Sequence, residues 1–351
     1  MKVKLTKKNT VGTGEKPYVI AEIGSNHNGD MEVAKRLIDA AKESGADCVK
    51  FQSWSKETIF SKKTYEDNYF LTDDYRNRTD YNLEEIVEEY AISEQELLAM
   101  KEYADKIGIE CTSTPFSKVE VDFIIDKMKV DFIKVASMDL SNYPFLDYIA
   151  RKNRPIVLST GLSTLTEIDM AIRTIEEAGN NEIVILHCVA TYPTADLDVN
   201  LRNIETFFKL YPYPIGFSDH TLGTCIPLAA VAKGACLIEK HFTLDKTMKG
   251  WDHKISATPE EMRIIAENSK RIFDALGRTR INQMESEEQK NAFRRSIIAT
   301  KEIREGEVIT EEMLTSKRPG TGIPPGDVKY ILGKKAKRNI SHDEIINIAD
   351  F

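Results

Sequence analysis

Cysteine, histidine and net positive charge are all scarce in this chain of 351 residues, and each shortage removes a class of protein. The five cysteines (Cys48, Cys111, Cys188, Cys225 and Cys236) form no C-x-x-C pair and are odd in number, so buried free thiols are expected rather than a disulfide framework. No apolar run approaches the ~18 residues of a transmembrane helix. The opening Met1-Lys2-Val3-Lys4 carries no apolar signal-peptide region, and a cytoplasmic protein is expected. The net charge of −8 argues against a general binder of nucleic acid or membrane surfaces, which needs a broad basic face. A small anion held by a few pocket lysines remains compatible with it.

What is present is regular. Short β-rich runs alternate with stretches of helical period: "YVIAEIG" (18–24), "DCVKFQ" (47–52), "IECTSTP" (109–115), "FIKVAS" (132–137), "PIVLST" (155–160), "IVILHC" (183–188), "PIGFSDH" (214–220) and "CLIEKHFT" (236–243). Between them, "MEVAKRLIDAAKES" places apolar residues at 33, 34, 37, 38 and 41, one buried helical stripe. Eight strand–helix units predict an α/β fold, a (β/α)8 TIM barrel over residues 1–277, with a doubly wound open sheet as the alternative. Residues 1–16 read as a β-hairpin around "TVGTG" capping the barrel's bottom. Residues 53–92, with Tyr65, Tyr69, Tyr75, Tyr81 and Tyr90, read as a long top-face insertion, either a lid or specificity element or a solvated decoration. Residues 278–292 read as a polar linker. Residues 293–351, with short strands in "SIIATKEI" and "INIAD" and the turn-rich "KRPGTGIPPGD", read as a separate small domain.

Catalytic groups of such a barrel sit at the C-terminal ends of its strands. Those ends carry Glu22; Lys50 and Gln52; Thr112 and Thr114; Lys134 and Ser137; Ser159; His187; Ser218, Asp219 and His220; Glu239 and His241. A lysine inside an apolar strand needs a partner or a ligand. Lys50 and Lys134, flanked by hydroxyls, suit a phosphate; internal salt bridges to Glu22 or Glu239 are the alternative. His220 and His241 end successive strands beside Glu22 and suit a divalent ion such as Mn²⁺, Co²⁺ or Zn²⁺, which could act as a Lewis acid on a carbonyl; a structural role is the alternative. His187 could join that cluster, and Cys188, pointing the other way, reads as core.

Taken in order, "AEIGSNHNGD", "VKFQ", "STPFS", "FIKVAS", "PIVLSTG", "HCVATYPT", "GFSDHT", "EKHFT" and "KRPGTG" resemble the sialic acid (nonulosonate) synthases over nearly the whole chain. The tail resembles their antifreeze-like (SAF, β-clip) domain. The resemblance implies a transferase that condenses phosphoenolpyruvate with N-acetylmannosamine or a related acylamino sugar, releasing phosphate by C–O cleavage. It implies Glu22 as the proton-transfer group, and Lys50, Thr114, Lys134, Ser137, Ser159 and Ser218 as phosphoenolpyruvate contacts. It implies Gln52, Asp139, Tyr192 and Asp252 as sugar contacts, with Asp139 where many relatives have Glu. His220 and His241 would hold a divalent metal, Mn²⁺ first, with Mg²⁺ or Co²⁺ as others. It also implies a domain-swapped homodimer in which Arg318 reaches the partner's sugar site. Ala190 departs from the Asn often found in N-acetylneuraminate synthases. That leaves a 2,4-diacetamido-2,4,6-trideoxyhexose, giving legionaminate or pseudaminate, as the alternative substrate. A 3-deoxy-sugar-phosphate synthase, which would lack the antifreeze-like tail, and a non-catalytic sugar-binding protein are more distant readings.

Overall fold

The computed structural model describes residues 1–67, 82–277, 281 and 284–351. It divides into two compact units, Met1–Gly277 and Arg278–Phe351.

In the first unit, β1 (Lys2–Lys4) and β2 (Thr10–Gly12) pair antiparallel. "TVG" is therefore a strand, and the chain reverses before it, over residues 5–9. Eight further strands follow: β3 (Tyr18–Gly24), β4 (Cys48–Gln52), β5 (Glu110–Thr114), β6 (Ile133–Val135), β7 (Ile156–Ser159), β8 (Ile183–Cys188), β9 (Ile215–Asp219) and β10 (Leu237–His241). They form one parallel sheet in the order β5-β4-β3-β10-β9-β8-β7-β6, a nearly closed barrel. At the seam between β5 and β6 the Thr112 hydroxyl donates to the Phe132 carbonyl at 3.1 Å.

Helix signals in the sequence act locally as expected. Asp30 caps the helix Met31–Glu43 by accepting from the backbone N–H groups of Glu32 and Val33. Ser93 and Glu96 form a capping box at the start of Glu94–Ile107, and Gly108 ends that helix with φ of 83°.

Side chains alternate across each strand, so two cores form. Val19, Ala21 and Ile23 of β3, Val49 and Phe51 of β4 and Ile183 and Ile185 of β8 face outward to the helices. Tyr18, Ile20, Cys48, Val157, Val184, Leu186 and Leu237 fill the barrel's lower interior, where Val3, Leu5 and Val11 of the hairpin join them. The hairpin thus plugs the bottom, and the upper interior is left to polar residues.

In the 53–92 stretch, helices span Lys56–Ile59, Lys62–Asp67 and Leu83–Tyr90. Trp54, Leu83, Ile86, Val87 and Tyr90 make a small core with Phe60, Phe116 and Trp251 packed on it. Tyr69, Tyr75 and Tyr81 lie outside the described residues.

In the second unit, β11 (Ser296–Ala299) and β12 (Leu314–Lys317) pair antiparallel over a core that includes Ile297, Ile303, Met313, Ile340 and Ile346. "INIAD" (346–350) ends in a 3-10 turn and is not a strand; the bridge to Ile298 comes from Ile345, just before it. The presumed linker contains most of a helix, Glu287–Phe293, started by a Ser286/Gln289 capping box; its polar residues carry no apolar period because no side chain of it is buried.

Candidate active site

The polar strand ends converge on a cavity of about 610 Å³ at the top of the barrel. Glu22, Lys50, Gln52, Thr114, Lys134, Ser137, Ser159, Tyr192, Ser218, His220, His241 and Asp252 all line it. Two predicted residues do not. Asp139 follows Ser137 on a 3-10 turn, and one of its carboxylate oxygens meets the Asn142 side chain at 3.4 Å. Burial raises its carboxyl above the usual range, and it is absent from the cavity wall. Arg318 belongs to the second unit, where its guanidinium lies 5.2 Å from the centre of the Phe293 ring.

Register explains the convergence. Glu22 of β3 stands beside Lys50 of β4 and beside His241 of β10, and Glu239 beside Ser218 of β9. The Lys50 ammonium is 2.7 Å from Glu22, donates to the Thr114 hydroxyl at 2.7 Å and lies 3.7 Å from Glu239. Lys134 donates to Ser159 at 2.7 Å and to the Val135 carbonyl at 3.0 Å, with Glu239 3.5 Å away. The Ser218 hydroxyl donates to Glu239 at 3.0 Å, and the Gln52 amide donates to Glu22 at 2.9 Å. Both lysines are therefore paired with acids while their hydroxyl neighbours surround them.

Electrostatics separate the two carboxylates. Burial, reinforced by Glu239, pushes Glu22 up to about 7 despite Lys50. Burial also opposes charge on Glu239, but Lys134 and Lys50 outweigh it and hold this carboxyl below its ordinary value. Burial lowers Lys134; at Lys50 burial is outweighed by Glu22 and Glu239, and the ammonium is raised.

The two histidines sit with ring centres 5.5 Å apart, and Tyr192 lies 4.1 Å from His220. His220 Nδ1 lies 2.7 Å from the Val189 carbonyl, an acceptor that holds a proton on Nδ1 and makes Nε2 the nitrogen available to a ligand. His241 Nδ1 is buried without a hydrogen-bond partner, 3.5 Å from Asp252 Oδ2. Burial, with His220 and Lys50 nearby, keeps His241 neutral, well below the usual histidine range. Burial opposes charge on His220, but Cys188 and the Val189 carbonyl outweigh it and raise this imidazole above its ordinary value. A neutral His241 with an orphaned buried nitrogen, beside a His220 whose Nε2 proton a cation would displace, fits a divalent ion that takes its other ligands from substrate or water. Among the described residues no group of three or more His, Cys, Asp or Glu is arranged to hold a metal by itself.

One sequence expectation is reversed. His187 points outward from β8, where its Nε2 lies 2.6 Å from the Val199 carbonyl and its ring stacks on Phe217. Cys188 points into the cavity, 3.5 Å from the Ser137 hydroxyl and 3.9 Å from His220 Nδ1. All five cysteines are free, and Cys225 alone among them is exposed. An apolar side of the cavity, with Trp54, Phe60, Phe116, Leu162 and Trp251, also went unread. Gly161 closes the Ser137 side; its N–H donates to the Ser137 hydroxyl at 3.0 Å, and a Cβ there would come within 2.7 Å of that oxygen.

The sequence profile of the NeuB family matches residues 37–280, and that of the SAF domain matches residues 294–351. The chain belongs to the NeuB family. It is 40% identical over 339 residues to the N,N'-diacetyllegionaminic acid synthase of Campylobacter jejuni, covering 95% of this chain and 99% of that one. It is 36% identical to the human N-acetylneuraminate-9-phosphate synthase over 337 residues, 95% of this chain and 92% of that one. Among solved structures, the N-acetylneuraminic acid synthetase of Leptospira borgpetersenii superposes with a TM-score of 0.71 at 32% identity, covering 83% of this chain and 95% of that one. This NeuB-family chain is accordingly an enzyme of the sialic-acid-type synthase class. No helix among its described residues is long and apolar enough to cross a membrane.

Proposed function

We propose that the protein condenses phosphoenolpyruvate with the open-chain form of an acylamino sugar, giving a nine-carbon 2-keto-3-deoxy acid and phosphate. The observation that carries this reading is the convergence of Lys50 and Lys134, their hydroxyl partners, Glu22 and the His220/His241 pair on one cavity. The lysines give phosphoenolpyruvate two positive charges in a water-poor site, where each counts for more than in solvent. Thr114, Ser137, Ser159 and Ser218 supply directional hydrogen bonds around them.

C3 of phosphoenolpyruvate attacks the aldehyde carbon, and the aldehyde oxygen takes up a proton. Water then adds at C2, and the C2–O bond to phosphate breaks. Glu22, pushed up to about 7, can both give and accept a proton near neutral pH, which suits it to these transfers. Gln52 holds Glu22 Oε1 and so fixes the carboxyl's orientation. A divalent ion, Mn²⁺ first, held by His220 and His241 would polarise the aldehyde carbonyl. Gln52, Tyr192 and Asp252 line the same cavity and are the sugar contacts of this reading, with N-acetylmannosamine as its first substrate.

A 2,4-diacetamido-2,4,6-trideoxyhexose is the second substrate reading. It is supported by the alanine at 190 on the cavity wall, the aromatic side formed by Trp54, Phe60 and Trp251, and the 40% identity to a legionaminic acid synthase. Arg318 at a partner's sugar site, within a homodimer, and a cytoplasmic location complete the proposal.

The test is phosphate release from phosphoenolpyruvate by metal-stripped protein resupplied with Mn²⁺, offered each sugar separately. Release with one sugar, abolished by chelator, is the expected result and names the substrate. Release only with an aldose phosphate would move the protein to the sugar-phosphate synthases. No release from any sugar by folded, metal-loaded protein would overturn the reading.

A further inference from the structure

A second ion pair lies one step outside the site. Lys240 and Asp219 are 1% and 0% exposed at their side chains, and the Lys240 ammonium is 2.5 Å from Asp219 Oδ2. They are Cα partners on the last recorded rung between β9 and β10, immediately before His220 and His241. Because side chains alternate, the pair faces outward while the next residue on each strand faces the cavity. The tie also spans His220 along the chain. Asp219 Oδ1 accepts from the Thr221 backbone N–H at 2.9 Å and from its hydroxyl at 2.8 Å, and Lys240 donates to the Thr221 carbonyl at 2.6 Å. Two of the three Lys240 ammonium N–H groups and both Asp219 carboxylate oxygens are thus engaged by residues flanking the two histidines.

Stability alone does not call for this arrangement. A buried ion pair costs about as much in lost hydration as it regains, and apolar residues of similar volume usually serve a core as well or better. What the pair provides is a fixed distance and orientation between two strand ends that would otherwise be free to splay past their last rung.

We infer that Asp219 and Lys240 are positioning residues that clamp β9 to β10 and thereby set the separation of the two imidazoles. The inference rests on the reading of His220 and His241 as metal ligands. The pair touches neither metal nor substrate; it acts through the backbone of the residues beside it.

The experiment measures Mn²⁺ and Co²⁺ binding to metal-free protein by calorimetric titration, and thermal midpoint in parallel, for wild type, Asp219→Asn, Lys240→Gln and the double variant Asp219→Asn/Lys240→Met. Each single variant leaves a buried polar group poorly matched and loses thermal stability. The double variant removes both charges and regains much of the midpoint. Its metal affinity nonetheless stays weaker by about 10- to 100-fold, the range typical when the supports of metal ligands are removed. Lys240→Gln, which keeps an N–H donor, falls between wild type and the double variant. Wild-type metal affinity in whichever of these variants folds would overturn the inference, leaving the metal reading intact. A wild-type protein that binds neither ion would overturn the metal reading itself, and this inference with it.

Discussion

The Glu22 carboxylate and the Lys50 ammonium meet at 2.7 Å inside a barrel where each side chain is under 5% exposed. Such a pair normally lowers a carboxyl's pKa, yet Glu22 rises to about 7 because burial and the Glu239 charge outweigh Lys50. The pair therefore yields an acid poised at neutral pH instead of a locked salt bridge.

Glu22→Gln should lower turnover by about 10²- to 10⁴-fold, the usual worth of a positioned acid–base group. Lys50 keeps Glu239 at 3.7 Å, so the thermal midpoint should move little. Phosphate-release kinetics beside a melting curve check both parts. A parallel loss of midpoint and turnover would reduce Glu22 to a structural role.

Glu239→Gln should act in the opposite sense. Among the described residues it removes the one carboxylate within 4 Å of both Lys50 and Lys134, and it should destabilise the ligand-free protein by about 3 kcal/mol, at the lower end for breaking a buried pair. The folded carboxyl lies below its unfolded value, so its contribution is present at neutral pH and is lost on acidification. Phosphoenolpyruvate then becomes the remaining counter-charge for Lys134, so it should raise the variant's thermal midpoint more than the wild type's. Equal shifts in the two proteins would count against phosphoenolpyruvate replacing Glu239 at the lysines.

Much of this was legible in the sequence, and the exceptions share a cause. Strands of a parallel barrel are apolar on both faces, so alternation alone does not say which face looks inward. Where a charged residue marks the parity, as at Lys50 and Lys134, the inward face is plain. In "IVILHC" no charge marks it, and the histidine was the tempting choice; the register with β9 turns His187 out and Cys188 in. Asp139 rests on the resemblance alone, with no strand period behind it; β6 ends at Val135, a 3-10 turn follows, and Asp139 lies off the cavity wall. The aromatic side of the cavity is assembled from Trp54, Phe116 and Trp251, separated widely in the chain, and no local period announces such a meeting. The helix Glu287–Phe293 was missed because it buries nothing; its only signal is the Ser286/Gln289 capping box.

Thiol reactivity should report the inward turn of Cys188. Cys225 is exposed and should react first with a maleimide. Burial opposes ionisation of Cys188, but His220 and the Ser137 hydroxyl outweigh it and bring the thiol below its ordinary value. It should be the second to react, its modification should abolish turnover, and phosphoenolpyruvate with Mn²⁺ should protect it. Cys48, Cys111 and Cys236 are buried, with thiols pushed up by that burial, and should stay unmodified in the folded protein. Peptide mapping after timed labelling checks the order; labelling of Cys188 that leaves turnover unchanged would place it outside the working cavity.

Stability should fall on mild acidification through His27. This ring is 1% exposed, packs 6.0 Å from Phe51 and accepts the Gly29 backbone N–H on Nδ1 at 3.1 Å, so a proton there would break the contact. Burial lowers its pKa to about 4, whereas the unfolded chain titrates near 6.5. Between those values the unfolded state binds the extra proton, so stability is full above about pH 6.5 and declines as pH falls toward 4. From pH 7.5 to pH 5 the loss from this one group is about 2 kcal/mol. His27→Asn keeps an oxygen to accept the Gly29 N–H but does not titrate. Urea unfolding at the two pH values should show the variant less stable than wild type at pH 7.5 from lost packing, yet with a pH-dependent loss smaller by about 2 kcal/mol. An unchanged pH dependence would mean that His27 is protonated equally in the folded and unfolded chains, and that its neutral ring is no part of what supports the turn leading into the first barrel helix.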